Sequence, residues 1–90
     1  MNTIKLLNSM EVGMPLIITT NWQDITTRKV SLYGGTKGDG VYNFIDDTGS
    51  YKCTEKYIKD HITIQTTLTE DEDLFTLVKL IKKVKEKEVK

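Results

Sequence analysis

The stretch VYNFIDDTGSYKCTEKYIKDHITI, residues 41–64, decides the fold. Val41 to Ile45 and Ser50 to Cys53 each alternate in character along the chain, the period of a half-buried strand. Asp46-Asp47-Thr48-Gly49 between them carries turn residues: Asp and Thr side chains bond nearby backbone, and Gly accepts a positive φ. A short Tyr57-Ile58 segment follows, then the β-branched run Ile62-Thr63-Ile64. Strand, tight turn, strand, short turn and strand make the closing half of a small β-barrel. The hairpin register has two readings. A two-residue Thr48-Gly49 loop gathers Tyr42, Phe44, Tyr51 and Cys53 on one face. A three-residue loop with left-handed Gly49 groups Val41, Ile45, Tyr51 and Cys53 instead, and turn chemistry leans to this second reading.

Upstream, Pro15 opens the β-branched run Leu16-Ile17-Ile18-Thr19-Thr20, at a position where proline is acceptable in a strand. Asn21-Trp22-Gln23-Asp24 reads as a polar connection holding one large aromatic. Ile25 to Tyr33 is the next strand, with Arg28, Val30 and Leu32 alternating against Lys29, Ser31 and Tyr33. Four glycines within Gly34 to Gly40 predict a mobile hairpin tip, because ordering glycine costs more backbone entropy than ordering any other residue. Residues 1–13 fit either one helical turn around Ile4, Leu6 and Leu7 or an edge strand.

Downstream, Thr69 and Glu72 have the spacing of a capping box, and Glu70 to Asp73 would face the positive end of a helix dipole. Leu74, Leu77, Val78, Ile81 and Val84 follow at intervals of three and four, predicting a helix over 69–88 with these residues toward the core. Phe75 and Leu80 flank that stripe, too far apart for one small barrel to cover both. They are the expected interface of a homodimer or other protein contact.

Composition narrows the function. The 90 residues form one domain, 1–90, with thirteen basic and thirteen acidic side chains. At the usual rate per residue its stability is about 5–13 kcal/mol. Twelve of the basic residues are Lys and only Arg28 is Arg, so bidentate recognition of phosphate or guanine is poorly provided for. No apolar run reaches the ~20 residues of a membrane span, and Met1 to Leu7 lacks the apolar core and cleavage site of a signal peptide. Cys53, the only cysteine, suits a reducing compartment, and a cytoplasmic protein is expected. The chain has no alanine, one proline and abundant Lys, Ile and Thr, a codon bias toward an AT-rich genome such as that of a low-GC bacterium or its phage.

No chemical constellation emerges. The glycine-rich stretch joins two strands, whereas phosphate-cradling loops open a helix. Asp46 and Asp47 are adjacent, so their side chains diverge, and turn chemistry explains both. Cys53 and His61 are the single thiol and imidazole, but no third residue orients them, and a half-buried strand cysteine is ordinarily a small hydrophobe. The lysines at 79, 82, 83, 85, 87 and 90 are interrupted by Glu86 and Glu88 and read as a solvated helix end. No cofactor and no metal site is expected, and no enzymatic activity. Trp22, Tyr33, Lys37 and Tyr42 remain as the expected partner-binding set, grouped at the glycine-loop end of the barrel. Trp22 as a lid on the core is an equal alternative.

Five short strands with a brief turn before the last, followed by a helix, resemble the SH3-like small barrel over residues 12–66. The resemblance is architectural. The Ala-Leu-Tyr-Asp-Tyr run and Trp-Trp pair of peptide-binding SH3 domains are missing, so proline-peptide recognition does not carry over. The expectation is a mainly β, α+β domain acting as a non-enzymatic protein-binding module, a small phage or mobile-element protein that inhibits or modulates a host enzyme or defence factor. The alternative is a nucleic-acid-binding barrel using Lys29, Lys37 and Lys52 with aromatic stacking.

Overall fold

A computed structural model describes residues 3–88, with side chains described through Glu86. The elements in chain order are α1 (Thr3–Ser9), β1 (Pro15–Trp22), β2 (Ile25–Thr36), β3 (Val41–Asp46), β4 (Gly49–Thr54), α2 (Glu55–His61), β5 (Ile62–Gln65) and α3 (Asp71–Glu88). The fold is α+β, as the sequence predicts: five antiparallel strands and a C-terminal helix. Strand order is β4-β3-β2-β1-β5. The expected closed barrel does not form, because β4 and β5 are free edges with no ladder between them among the described residues. The reason lies in residues 55–61. Where the sequence predicts a brief Tyr57-Ile58 turn, Thr54 caps a seven-residue helix, its Oγ1 accepting from the Tyr57 N–H at 3.2 Å. That helix, and not a closing ladder, carries the chain from β4 to β5, and it contacts both strands and β1.

The two faces of the sheet carry different loads. On the concave face Leu16, Ile18, Tyr33, Tyr42, Phe44, Cys53 and Ile62 form the core with Ile4 and Leu7 of α1 and Ile58 of α2. The segment left open at residues 1–13 is therefore a helix, and Ile4 and Leu7, one turn apart, are its buried side. Tyr42 ties it to β3 through its hydroxyl, which donates to Asn8 Oδ1 at 3.1 Å. On the convex face Ile17 and Val30 are cross-strand partners, and they are buried with Leu32 on the side where α3 packs against β2.

Three turns differ from their sequence reading. Gln23 and Asp24 make a two-residue loop with φ of 50° and 64°, so Trp22 and Ile25 face each other as the last pair of a β1–β2 hairpin. Both residues in the left-handed region is the signature of a type I′ turn, which matches the strand twist but usually recruits Asn and Gly. Gly34 and Gly35 are not loop residues: they lie inside β2, at a register shift between Tyr33 and Gly35. A Cβ on Gly34 would fall 2.9 Å from the Asn43 Cβ, and Gly35 has φ +90°, so both glycines serve a bulge against β3. Only Lys37 to Gly40 is turn: the Thr36 hydroxyl accepts from the Gly38 N–H and donates to the Val41 carbonyl, and the Asp39 carboxylate accepts from the Val41 N–H. The β3–β4 loop is Asp47-Thr48, with Asp46 opposite Gly49 and Phe44 opposite Tyr51. Neither expected register is the observed one, though the observed face holds Tyr42, Phe44, Tyr51 and Cys53, the grouping of the first reading.

Helix α3 is rotated from its expected setting. Leu80 is 3% exposed, Leu77 and Val84 are half-buried, and Asp73 is buried, whereas Leu74, Val78 and Ile81 are exposed. Leu80 thus belongs to the core and not to an interface. Apolar residues cover more than half the circumference, so periodicity alone leaves the rotation open. Arg28 resolves it: its guanidinium donates to both Asp73 carboxylate oxygens, at 2.7 and 2.5 Å, a fork that draws the Asp73 side of the helix onto β2. The Thr69 capping box is not used. The helix starts at Asp71, and the Leu74 N–H donates to the Glu70 carbonyl at 3.1 Å. Lys87 and Lys90, the end of the lysine series, lie outside the described side chains.

Candidate functional site

Two adjoining cavities lie along β4, on the sheet face that carries α1 and α2. One part, about 390 Å³, is lined by Thr20, Tyr51, Lys52, Cys53, Thr54, Tyr57 and Ile62. A second, about 370 Å³, is lined by Ile18, Thr20, Thr27, Lys29, Asp46, Thr48 and Tyr51. Thr20 and Tyr51 line both, so the two cavities meet and run together along the inner side of β4. The apolar and aromatic part lies toward α2, and the charged part toward the β3–β4 turn.

Main-chain geometry gives this groove its second feature. In a two-residue hairpin the flanking residues form a hydrogen-bonded pair, and such pairs alternate with non-bonded ones. Starting from Asp46 and Gly49, the paired β4 residues are Gly49, Tyr51 and Cys53, while Ser50 and Lys52 turn their N–H and C=O groups away from β3. Tyr51 and Cys53 line the groove, and Ser50 and Lys52 are exposed, Lys52 at its rim. A free edge therefore borders a lined cavity.

At the charged end the Asp46 carboxyl is held toward its ionised form. Asp46 is 5% exposed. Burial would raise its pKa, yet hydrogen bonds from the Thr48 hydroxyl (2.6 Å) and N–H (2.8 Å), with Lys29 at 3.4 Å, carry it below the usual carboxylate range. Burial pushes the Tyr51 phenol up to about 12, against the Ser31 hydroxyl, which favours the ionised form. Burial likewise raises the Cys53 thiol, leaving it a weak nucleophile at neutral pH. The groove thus offers hydrogen-bonding and apolar surface, with its one carboxylate already engaged.

At the mouth of the apolar part three rings meet. Trp22 lies 4.6 Å from His61, edge-on, and 5.8 Å from Tyr57, and Tyr57 lies 5.0 Å from His61. His61 Nδ1 is 3.0 Å from the Asn21 carbonyl oxygen, which fixes the ring against the β1–β2 turn. Trp22 remains 46% exposed. It is neither a full lid nor a free aromatic: one side seals α2 and the other faces solvent.

The expected binding set is not a set. Tyr33 and Tyr42 are 1% and 5% exposed and belong to the core. Lys37 is exposed, but it follows the far end of β2, whereas Trp22 pairs with Ile25 at the near end. Phe75 is exposed on α3, separate from both. Tyr57 and His61, which the sequence reading did not bring together, are spaced i,i+4 and share one side of α2; recognising Thr54 as an N-cap would have paired them. Another cavity of about 470 Å³ lies between α3 and β2. Its basic residues Arg28, Lys29, Lys79 and Lys83 are offset by Asp47, Glu72 and Asp73, so it has no single-sign field. Among the described residues no group of three or more His, Cys, Asp or Glu is placed to hold a metal ion, and no helix is long and apolar enough to cross a membrane. Compared with protein-family models, curated proteins and solved structures, the chain matches none.

Proposed function

We propose that this chain is a non-enzymatic protein-binding module that takes an extended segment of its partner alongside β4. The observation that carries this reading is the free β4 edge beside the groove. A strand added there would bond Ser50 and Lys52 through its backbone, and the residues opposite Tyr51 and Cys53 would send side chains toward Tyr57 and Ile62. In this reading the domain is an open relative of the SH3-like small barrel. Support comes from the strand order, the long bulged β2 and the short helix before β5. The partner is a host protein met in the cytoplasm, and the chain a small phage or mobile-element product. The alanine-free composition and the lone free cysteine support this origin.

The test begins with a displayed library of random peptides selected on the purified protein. Binders should perturb the amide resonances of residues 50–54 and the emission of Trp22, the only tryptophan. Lys52→Pro deletes one outward N–H and leaves the β3 ladder intact, so it should weaken those peptides at least tenfold with the melt unchanged, about what loss of one well-placed hydrogen bond entails. Lys52→Ala keeps the N–H and should bind clearly more tightly than Lys52→Pro. Peptides that map away from β4, or that tolerate Lys52→Pro, would overturn the reading.

A further inference from the structure

The side of α3 turned away from the sheet is apolar where a monomer would place charge. Leu74, Phe75, Val78 and Ile81 are 43, 64, 51 and 36% exposed. The intervals of Leu74, Val78 and Ile81, four then three, are those of a seam between two helices. Charges at the two ends of this seam differ in sign. Asp71 precedes it, while Lys82 and Lys85 follow, and at 100° per residue Asp71 and Lys85 both lie within about 20° of Val78 around the helix.

We infer that the occupant of this face is a second copy of the chain, its α3 antiparallel to the first about a two-fold axis at Val78. In that arrangement a residue k places before Val78 lies level with the residue k places after it in the second copy. Val78 meets its own equivalent, Leu74 meets Ile81 on one side of the seam, and Asp71 meets Lys85, once at each end. A parallel pairing would set Asp71 against Asp71 and Lys85 against Lys85, and like charges in contact disfavour it. Asp73 and Glu72 do not compete for these lysines, because Arg28 holds Asp73 and Glu72 lines the cavity beside β2. Lys79 lies 4.6 Å from the Phe75 ring centre and covers one face of the ring, leaving the rest for contact.

Four partly exposed apolar side chains per copy make an interface smaller than the roughly 1,200 Å² of standard specific complexes, which predicts a weak dimer. The inference is independent of the peptide reading, since α3 packs on the convex side of the sheet. Together the two give a bivalent module, whose paired β4 edges would bind a two-fold symmetric target by avidity.

Sedimentation of the full chain across a concentration series tests the inference. The protein should pass from monomer to dimer, and Val78→Asp should remain monomeric with its melt unchanged, because Val78 is already exposed. Asp71→Lys alone and Lys85→Asp alone should each weaken the dimer about tenfold or more, the cost of two like-charge contacts. The double variant should regain most of the loss, and only a partner that carries the same substitutions can give that rescue. A monomer at every concentration would overturn the proposal. So would a dimer indifferent to Val78→Asp, or a double variant no stronger than the single ones.

Discussion

Leu80→Ala decides whether α3 sits as described. Leu80 is 3% exposed and faces the convex side of the sheet, and truncation deletes three carbons from a closed contact. Leu-to-Ala changes in cores cost about 2–5 kcal/mol, the spread reflecting how far the site collapses. A single helix lying on a sheet face can settle toward the gap, so the lower half, about 2–3 kcal/mol, applies here. In a domain of this size each kcal/mol moves the midpoint by about 4–8 °C, so the melt should fall by roughly 10–20 °C. Leu74→Ala, at 43% exposure, should change the midpoint by only a few degrees. Both variants should be melted by circular dichroism at low protein concentration, where self-association does not contribute, with urea denaturation as a second probe. If Leu74→Ala is the more damaging, the helix is turned the other way and the Arg28 argument fails.

Two further predictions concern charge and turn. Asp73 is held below the usual carboxylate range, first by its hydrogen bonds from Arg28, then, against burial, by the charge of Arg28; Asp46 is lowered as well. A depressed folded pKa gives stability that is complete above the unfolded value of about 3.9 and is lost as pH falls through the folded value. Urea midpoints should therefore decline below about pH 4, and Asp73→Asn should flatten that decline; an unchanged acid limb would remove Asp73 from the account. Replacing Gln23-Asp24 by Asn-Gly in a double variant relieves two residues with φ of 50° and 64°. It should raise stability by about 1 kcal/mol, or 4–8 °C, whereas a lower melt would mean that the turn is not type I′.

Much of the fold was legible, and the parts that were not share a cause. Strand content, the C-terminal helix and the turn at Asp46 to Gly49 follow from alternation and turn chemistry, which are local. The rotation of α3, the place of Gly34 and the closure of the barrel depend on contacts distant in sequence. Arg28 and Asp73 are 45 residues apart, and nothing in the 69–88 periodicity announces their pairing. Gly34 looks like loop until Asn43 is laid beside it. The site was less legible still. Tyr33 and Tyr42 have the composition of display aromatics, but their positions on β2 and β3 face the core. Tyr57 and His61 gain meaning only once residues 55–61 are helical and Trp22 is brought to them by the β1–β2 turn.

The claim on which the rest depends is that β4 is an open edge, and amide hydrogen exchange reads it residue by residue. In the free monomer the Tyr51 and Cys53 amides, bonded to β3, should exchange slowly, and those of Ser50 and Lys52 fast. On addition of a selected peptide the Ser50 and Lys52 amides should become as slow as their neighbours. Equal protection of all four amides in the unliganded monomer would mean that the edge is already covered, and would contradict the account.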